Sequence, residues 1–224
     1  MREVMVQYLQ HCLLRWFDEN QRVFPWREDG ATKYQQIVSE ILLQRTKAET
    51  VAKYFDTFFS KYPDWNALAN ASLEELEEVM KPLGLYRHRA KRLYKLGEDI
   101  RRRGGNIPGD SNELRDSGFI GLYVTNAFEL FILRNRKPLL DVNMSRLLKR
   151  YFKPGDFIDV RHDKEIQALA NDIVEVRRCK ELNWAILDYA ALVCKSRNPL
   201  CDECVLNKHC KYYELSKGNT TLIP

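Results

Sequence analysis

Gly118-Phe119-Ile120-Gly121-Leu122-Tyr123-Val124-Thr125-Asn126-Ala127-Phe128 is followed, past a basic spacer, by Pro138-Leu139-Leu140-Asp141-Val142-Asn143. A Gly-x-x-Gly turn opens an apolar helix at Leu122, the helix breaks near Lys137-Pro138, and Asp141 stands at the start of the next one. Tyr123 and Asp141 are therefore both set close to helix N-termini, where unpaired backbone N–H groups favour negative charge. A tight glycine turn feeding such an end is a ready site for a phosphate. The stretch reads as a phosphate-gripping hairpin beside a carboxylate, and the rest of the chain as the scaffold that holds it.

Outward from there, the apolar residues recur at helical spacing. Val4, Met5, Tyr8, Leu9, Cys12, Leu13, Trp16 and Phe17 form the core face of an N-terminal helix, which places Cys12 in the core. Phe24-Pro25-Trp26-Arg27 makes a stiff aromatic corner, and Tyr34, Ile37, Val38, Ile41 and Leu42 mark a second helix that carries Glu40 and ends near Gln44-Arg45. Two capping boxes, Thr46-Lys47-Ala48-Glu49 and Ser72-Leu73-Glu74-Glu75, open the next helices. Leu83-Gly84-Leu85-Tyr86 turns into a basic helix closed by Gly104-Gly105. A short helix at Asn112–Asp116 precedes the hairpin, and helices over 144–152, 164–176 and 181–193 follow it. No segment alternates with a period of two, so the fold class predicted is all-α.

The chain has 224 residues, enough for a sizeable core in one large or two small lobes. No apolar run approaches the roughly 18 residues of a membrane helix, and no apolar block follows a basic start as in a secretory signal. A cytoplasmic or nucleoid-associated protein with no membrane partner is expected. The net charge of +5 permits a nucleic-acid partner without requiring one. Its distribution says more: Arg87, Arg89, Lys91, Arg92, Arg101, Arg102 and Arg103 crowd one segment, and Arg134, Arg136 and Lys137 another. Basic clusters beside glycine turns favour phosphate contact over a merely solvated face.

Cys194, Cys201, Cys204 and Cys210 are spaced C-x6-C-x2-C-x5-C. Four thiols packed this closely, without a secretion signal, argue for a metal rather than disulfides. On spacing alone, zinc in a tetrahedral thiolate site, with His209 able to replace one sulfur, stands ahead of a [4Fe–4S] cluster. Cys179 has no partner pattern.

With these motifs in place, the chain resembles the helix-hairpin-helix DNA glycosylases of the endonuclease III superfamily over nearly its full length. The quartet matches that family's [4Fe–4S] loop at all four cysteines, which reverses the zinc preference. Gly84-Leu85-Tyr86-Arg87-His88-Arg89-Ala90 is similar to the family's first glycine turn. Tyr123 lies 18 positions before Asp141, the family's separation between its variable catalytic position and its invariant aspartate. Phe24-Pro25-Trp26-Arg27, the run Ser39 to Thr46, Asp188-Tyr189 and the tail Cys210 to Glu214 most resemble the thymine (G·T mismatch) glycosylases. The adenine glycosylase (MutY) branch shares Pro25-Trp26, Glu40 and the Asp-x-Asn of Asp141 and Asn143, but usually adds a C-terminal domain. One departure stands out: the family hairpin is Leu-Pro-Gly-Val-Gly, and here the aligned residues are Ser117-Gly118-Phe119-Ile120-Gly121. Phe119 in place of glycine changes how closely backbone amides approach a phosphate.

The resemblance implies residue roles. Asp141, whose simplest reading is a helix N-cap, would stabilise the positive charge that builds on the sugar as the base leaves, and orient water. Tyr123 occupies the position where lysine in some members forms a Schiff base; a phenol cannot form an imine, so a monofunctional enzyme leaving an abasic site is expected. Glu40, otherwise a solvated helix glutamate, would face the extruded base, Gln44 would fill the gap in the duplex, and Arg45 would grip the strand or the orphan guanine. Asn143 would orient Asp141, and the amides of Gly118, Ile120 and Gly121 would hold phosphate. Two helical lobes are expected, residues 27–135 with the hairpin, and 1–26 with 136–224 carrying the cluster, and the cleft between them would take the base. The function expected is removal of thymine, and of uracil, opposite guanine in double-stranded DNA by a monomer. The alternatives are an adenine glycosylase acting opposite guanine or 8-oxoguanine, a non-catalytic iron–sulfur DNA-binding module, and a zinc-binding structural protein.

Overall fold

The computed structural model describes residues 2–84, 86–106, 109–110, 113, 121–154, 159 and 163–218. Eleven α-helices and three short 3-10 turns account for the regular structure among them, and no strand occurs there. None of these helices is long and apolar enough to cross a membrane. Contacts divide the chain into two units, Val23–Asn135 and the pair Met1–Arg22 with Arg136–Pro224.

In the Val23–Asn135 unit, a 3-10 turn at Pro25–Arg27 starts with proline, whose fixed φ suits a first helical turn. It buries Trp26 flat against Phe24, with ring centroids 4.8 Å apart. Helix α2 (Lys33–Leu42) opens on a capping box between Thr32 and Gln35, whose side-chain oxygens accept from otherwise orphaned backbone N–H groups. Helix α3 (Ala48–Lys61) buries Val51, Phe55, Phe58 and Phe59. The capping box expected at Thr46–Glu49 does not form: Lys47 is the N-cap and makes no side-chain cap. The Thr46 hydroxyl donates instead to the Leu83 carbonyl at 3.3 Å and accepts from Arg89. Asp64 caps a short helix α4 (Trp65–Ala69) that the apolar spacing did not reveal. The box at Ser72 and Glu75 does open α5 (Leu73–Met80).

Helix α6 (Tyr86–Arg102) ends as Gly104 and Gly105 take φ of +67° and +88°, a left-handed exit that glycine adopts without strain. Both α4 and α5 pack on α6. Where α4 meets it, a Cβ on Gly97 would stand 2.9 Å from the Leu68 carbonyl oxygen and 3.0 Å from the Ala69 Cα. Backbone atoms cannot yield as a flexible side chain does. Alanine gains about 1 kcal/mol in helix propensity over glycine, yet Gly97→Ala is expected to lose about 1–2 kcal/mol net through overpacking. A lowered urea midpoint with an unchanged slope is the expected measurement; a raised midpoint would show that α4 moves freely.

Helix α7 (Leu122–Phe131) begins where expected, with Gly121 as N-cap. It stops well short of Lys137-Pro138, correcting the expected break: Leu133 N–H reaches back to the Phe128 carbonyl and Arg134 turns to φ +59°. The chain then runs without helix to Asp141.

In the other unit, α1 (Arg2–Asn20) lays Met5, Leu9, Leu13 and Phe17 against α10 (Cys179–Leu192), with α8 (Val142–Phe152) and α9 (Lys164–Val174) completing the core. Cys12 is only half-buried, on the edge of the α1 core face rather than within it. Buried Asn183 on α10 fixes the extended approach to Asp141, accepting from Leu139 N–H at 2.6 Å and donating to the Lys137 carbonyl at 3.1 Å. After the cysteine loop, α11 (Lys211–Gly218) packs back on α8.

Candidate active site

Asp141 is the N-cap of α8, and both carboxylate oxygens are engaged. Oδ1 accepts from the backbone N–H groups of Asn143 and Met144, each at 2.8 Å, and Oδ2 accepts from Asn143 Nδ2 at 2.7 Å. Asn143 Oδ1 in turn accepts from Arg146 Nη1 at 2.9 Å. Arg146 is anchored at its other end by the carbonyls of Cys194 (3.1 Å) and Ala190 (2.8 Å).

This chain of bonds has one allowed direction. A guanidinium only donates, so the Asn143 oxygen must face Arg146 and its NH2 must face Asp141. Oδ2 of Asp141 must then accept, and each such bond favours the ionised carboxylate. Burial raises the Asp141 carboxyl above its ordinary range, while the Met144 and Asn143 bonds and the Arg146 charge pull it back. The Asn143 Nδ2 bond to Asp141 Oδ2 is the contact through which the orienting role expected from the sequence would act. Arg146 was missed; its signal is a cation one helical turn beyond Asn143, a spacing that faces it toward the cap.

The second group lies in the Val23–Asn135 unit. Glu40 is only 2% exposed, not a solvated helix glutamate, and Tyr123 Oη donates to its Oε2 at 2.8 Å. Eighty-three positions separate the two in sequence. They meet because α2 packs along α7, which carries Tyr123 on its first turn. Tyr123 is half-buried and Leu122 beside it is 40% exposed, so the head of α7 reaches solvent. A Cβ on Gly121 would meet nothing within 4 Å, leaving its backbone open to close approach. Gly118 and Ile120, with Phe119 and most of the short helix expected at Asn112–Asp116, lie outside the described residues.

Gln44 and Arg45 follow α2 in a tight turn, Arg45 exposed and at φ +59°. Gln44 Oε1 accepts from Arg92. The basic stretch of α6 divides by destination. Arg87, Lys91 and Arg92 are exposed, and Arg102 at the end of α6 and Arg103 just past it bond to Asp99 on that helix. Arg89, grouped by sequence with the phosphate-facing cations, is turned inward and only 3% exposed.

Cys194, Cys201, Cys204 and Cys210 are half-buried and none is in a disulfide. Two sulfurs receive donors suited to thiolates: Arg150 Nη1 points to Cys194 Sγ at 3.6 Å and Tyr189 Oη to Cys204 Sγ at 3.2 Å. Arg150 also donates to the carbonyls of Lys195 (2.6 Å) and Ser196 (3.1 Å), tying the loop to α8. Four thiolates are the ligand set of a [4Fe–4S] cluster, and Cys194, Cys201, Cys204 and Cys210 supply that donor set. His209, the possible fourth zinc ligand, packs edge-on against Tyr8 with centroids 4.6 Å apart.

The comparisons with known proteins agree with these features. Residues 38–176 match the model of the HhH-GPD superfamily of base excision DNA repair proteins, and residues 194–210 match the iron–sulfur binding domain of endonuclease III. A thymine-DNA glycosylase of Aeropyrum pernix is 34% identical over 213 residues, 93% of this chain and 95% of that protein. A thymine/uracil-DNA glycosylase of Methanothermobacter thermautotrophicus is 30% identical over 90% of this chain and 91% of its own length. The structure of a thermostable thymine-DNA glycosylase superposes with a TM-score of 0.86 at 29% identity, covering 95% of this chain and 98% of the other.

Proposed function

Because the chain belongs to the HhH-GPD superfamily of base excision DNA repair proteins and carries the endonuclease III type of iron–sulfur domain, we propose that it hydrolyses the N-glycosidic bond of thymine, and of uracil, mispaired with guanine in double-stranded DNA. Acting as a monomer, it leaves an abasic site in an unbroken strand. The observation that carries this reading is the phenol of Tyr123 bonded to the buried Glu40 carboxylate at 2.8 Å. The position that would supply an amine nucleophile holds a hydroxyl engaged as a donor, and a phenol forms no imine.

In this scheme the target nucleotide leaves the stack, at least cost where it is mispaired. Glu40 and Tyr123 meet the pyrimidine, and of the two the Tyr123 hydroxyl is the donor able to stabilise the negative charge it carries away, the Glu40 carboxylate being an acceptor. As the C1′–N1 bond breaks, its electron pair goes to the base and positive charge develops on the sugar. Asp141, oriented by its network, in its ionised form stabilises that charge and takes a proton from the water whose oxygen adds at C1′. Gln44 occupies the space the base vacates, Arg45 grips the strand or the orphan guanine, and the amides of Gly118, Ile120 and Gly121 hold phosphate. Cys194, Cys201, Cys204 and Cys210 would hold a [4Fe–4S] cluster, which when bound joins four points of one loop and supplies no step of the hydrolysis.

The test is base release from duplexes carrying G·T, G·U, A·G and A·8-oxoguanine. Thymine and uracil are expected to be released opposite guanine, with strand breakage only after alkali. Release of adenine alone would assign the chain to the other branch. Trapping of a covalent adduct by borohydride would overturn the role given to Tyr123.

A further inference from the structure

Arg89 is a buried cation with an unusual set of partners. Its Nη1 donates to the Leu83 carbonyl at 2.8 Å and to the Gly84 carbonyl, and its Nη2 donates to the Gln44 carbonyl and the Thr46 hydroxyl. None of these acceptors is a carboxylate. A desolvated guanidinium is costly to keep unless its donors are satisfied, and burial together with the like charge of Arg92 lowers its proton affinity. Its place therefore reflects what it holds together.

Those acceptors belong to two turns far apart in sequence. One leaves α2 at Gln44–Thr46; the other, Leu83–Gly84, leads into α6. The Thr46 hydroxyl adds its own bond to the Leu83 carbonyl at 3.3 Å. Arg45, between the two tethered residues, is held at φ +59°. A non-glycine residue stays in that region only where its surroundings over-determine it. The turn supplies little from within: Thr46 N–H reaches Leu43 at 3.1 Å and Gln44 N–H reaches Ile41 at 3.4 Å.

We infer that Arg89 is a positioning residue: its planar fork pins the Gln44–Arg45 turn to the entry of α6, so that the two side chains proposed to engage the opened duplex stand on a rigid base. Buried as it is, Arg89 itself touches no DNA. Only a fork spans both turns, since a lysine ammonium is a point charge on a flexible stem. Arg92, donating to Gln44 Oε1, holds that side chain against α6 in the free protein.

This inference rests on the proposed role of Gln44 and Arg45, and its test separates the two. The holoprotein variants Arg89→Met, Arg89→Lys and Thr46→Val are compared with wild type on a G·T duplex bearing 2-aminopurine beside the mismatch. Fluorescence reports unstacking, anisotropy on a matched duplex reports phosphate contact, and single-turnover release reports chemistry. Arg89→Met is expected to lose most of the fluorescence rise at saturating protein and at least about tenfold in rate. Arg89→Lys falls with it, and matched-duplex affinity stays within about twofold. Thr46→Val loses a few-fold in rate and decides the matter if the Arg89 variants do not fold. An unchanged rate and fluorescence rise in Thr46→Val, or full activity in Arg89→Lys, would overturn the inference. So would a fall in matched-duplex affinity equal to the fall in rate, which would make Arg89 a phosphate contact. If wild type unstacks the mismatch but releases no thymine, the thymine reading fails while Arg89 is still judged by the fluorescence.

Discussion

Asp141→Asn is expected to lower single-turnover release of thymine from a G·T duplex on the order of a thousandfold while leaving the fold and mismatch binding intact. The isostere keeps the cap, since Asn is as good an N-cap as Asp and its Oδ1 can still accept from the Asn143 and Met144 N–H groups. It loses the negative charge, and its amide then opposes the Asn143 NH2, because Arg146 forbids Asn143 from turning over. That conflict costs about 1–3 kcal/mol as an unmade buried bond. Asp141→Ala removes the cap as well, adding about 1 kcal/mol of instability. Equal activity losses with unequal melting points would separate the carboxylate's chemistry from its capping. Wild-type rates in Asp141→Asn would leave it a cap and nothing more.

Position 141 was legible because its signals are local: an apolar run, a break and an Asp ahead of a new helix. The four cysteines are local too, and so are the glycines that end α6 and begin α7. What the sequence concealed is where long side chains go once the helices pack. Glu40 reads as an ordinary helix glutamate until α7 brings a phenol to it from position 123. Arg89 sits among cations that the sequence assigns to phosphate, yet it folds inward to donate to the carbonyls of two turns. Thr46 matches a capping box in type and spacing; the tertiary bonds to Leu83 and Arg89 claim its hydroxyl and leave α3 without that cap. Each of these depends on a partner more than 35 positions away, beyond the reach of periodicity.

Arg146→Met is expected to slow base release about a hundredfold and to move the acid limb of the pH–rate profile upward. The variant keeps the stem's packing and removes both the anchor to Cys194 and Ala190 and the donor that fixes Asn143. Release requires ionised Asp141, whose carboxyl burial already raises, with the Arg146 charge pulling against that rise. Without the cation the raised value rises further, so activity fades at a higher pH on acidification than in wild type. The same carboxyl acts on stability with the opposite sign. Its folded value exceeds its unfolded one, so its contribution is full below the unfolded value and is lost as pH rises through the folded value; Arg146→Met widens that window. A purely structural arginine would lower the melting point and the rate together and leave the acid limb where it was. Retention of the cluster's visible absorbance shows that the loop anchored through Cys194 survives. A shifted limb in a protein with an intact cluster then belongs to the Asp141–Asn143–Arg146 chain, because within it only the carboxylate changes protonation over the accessible range.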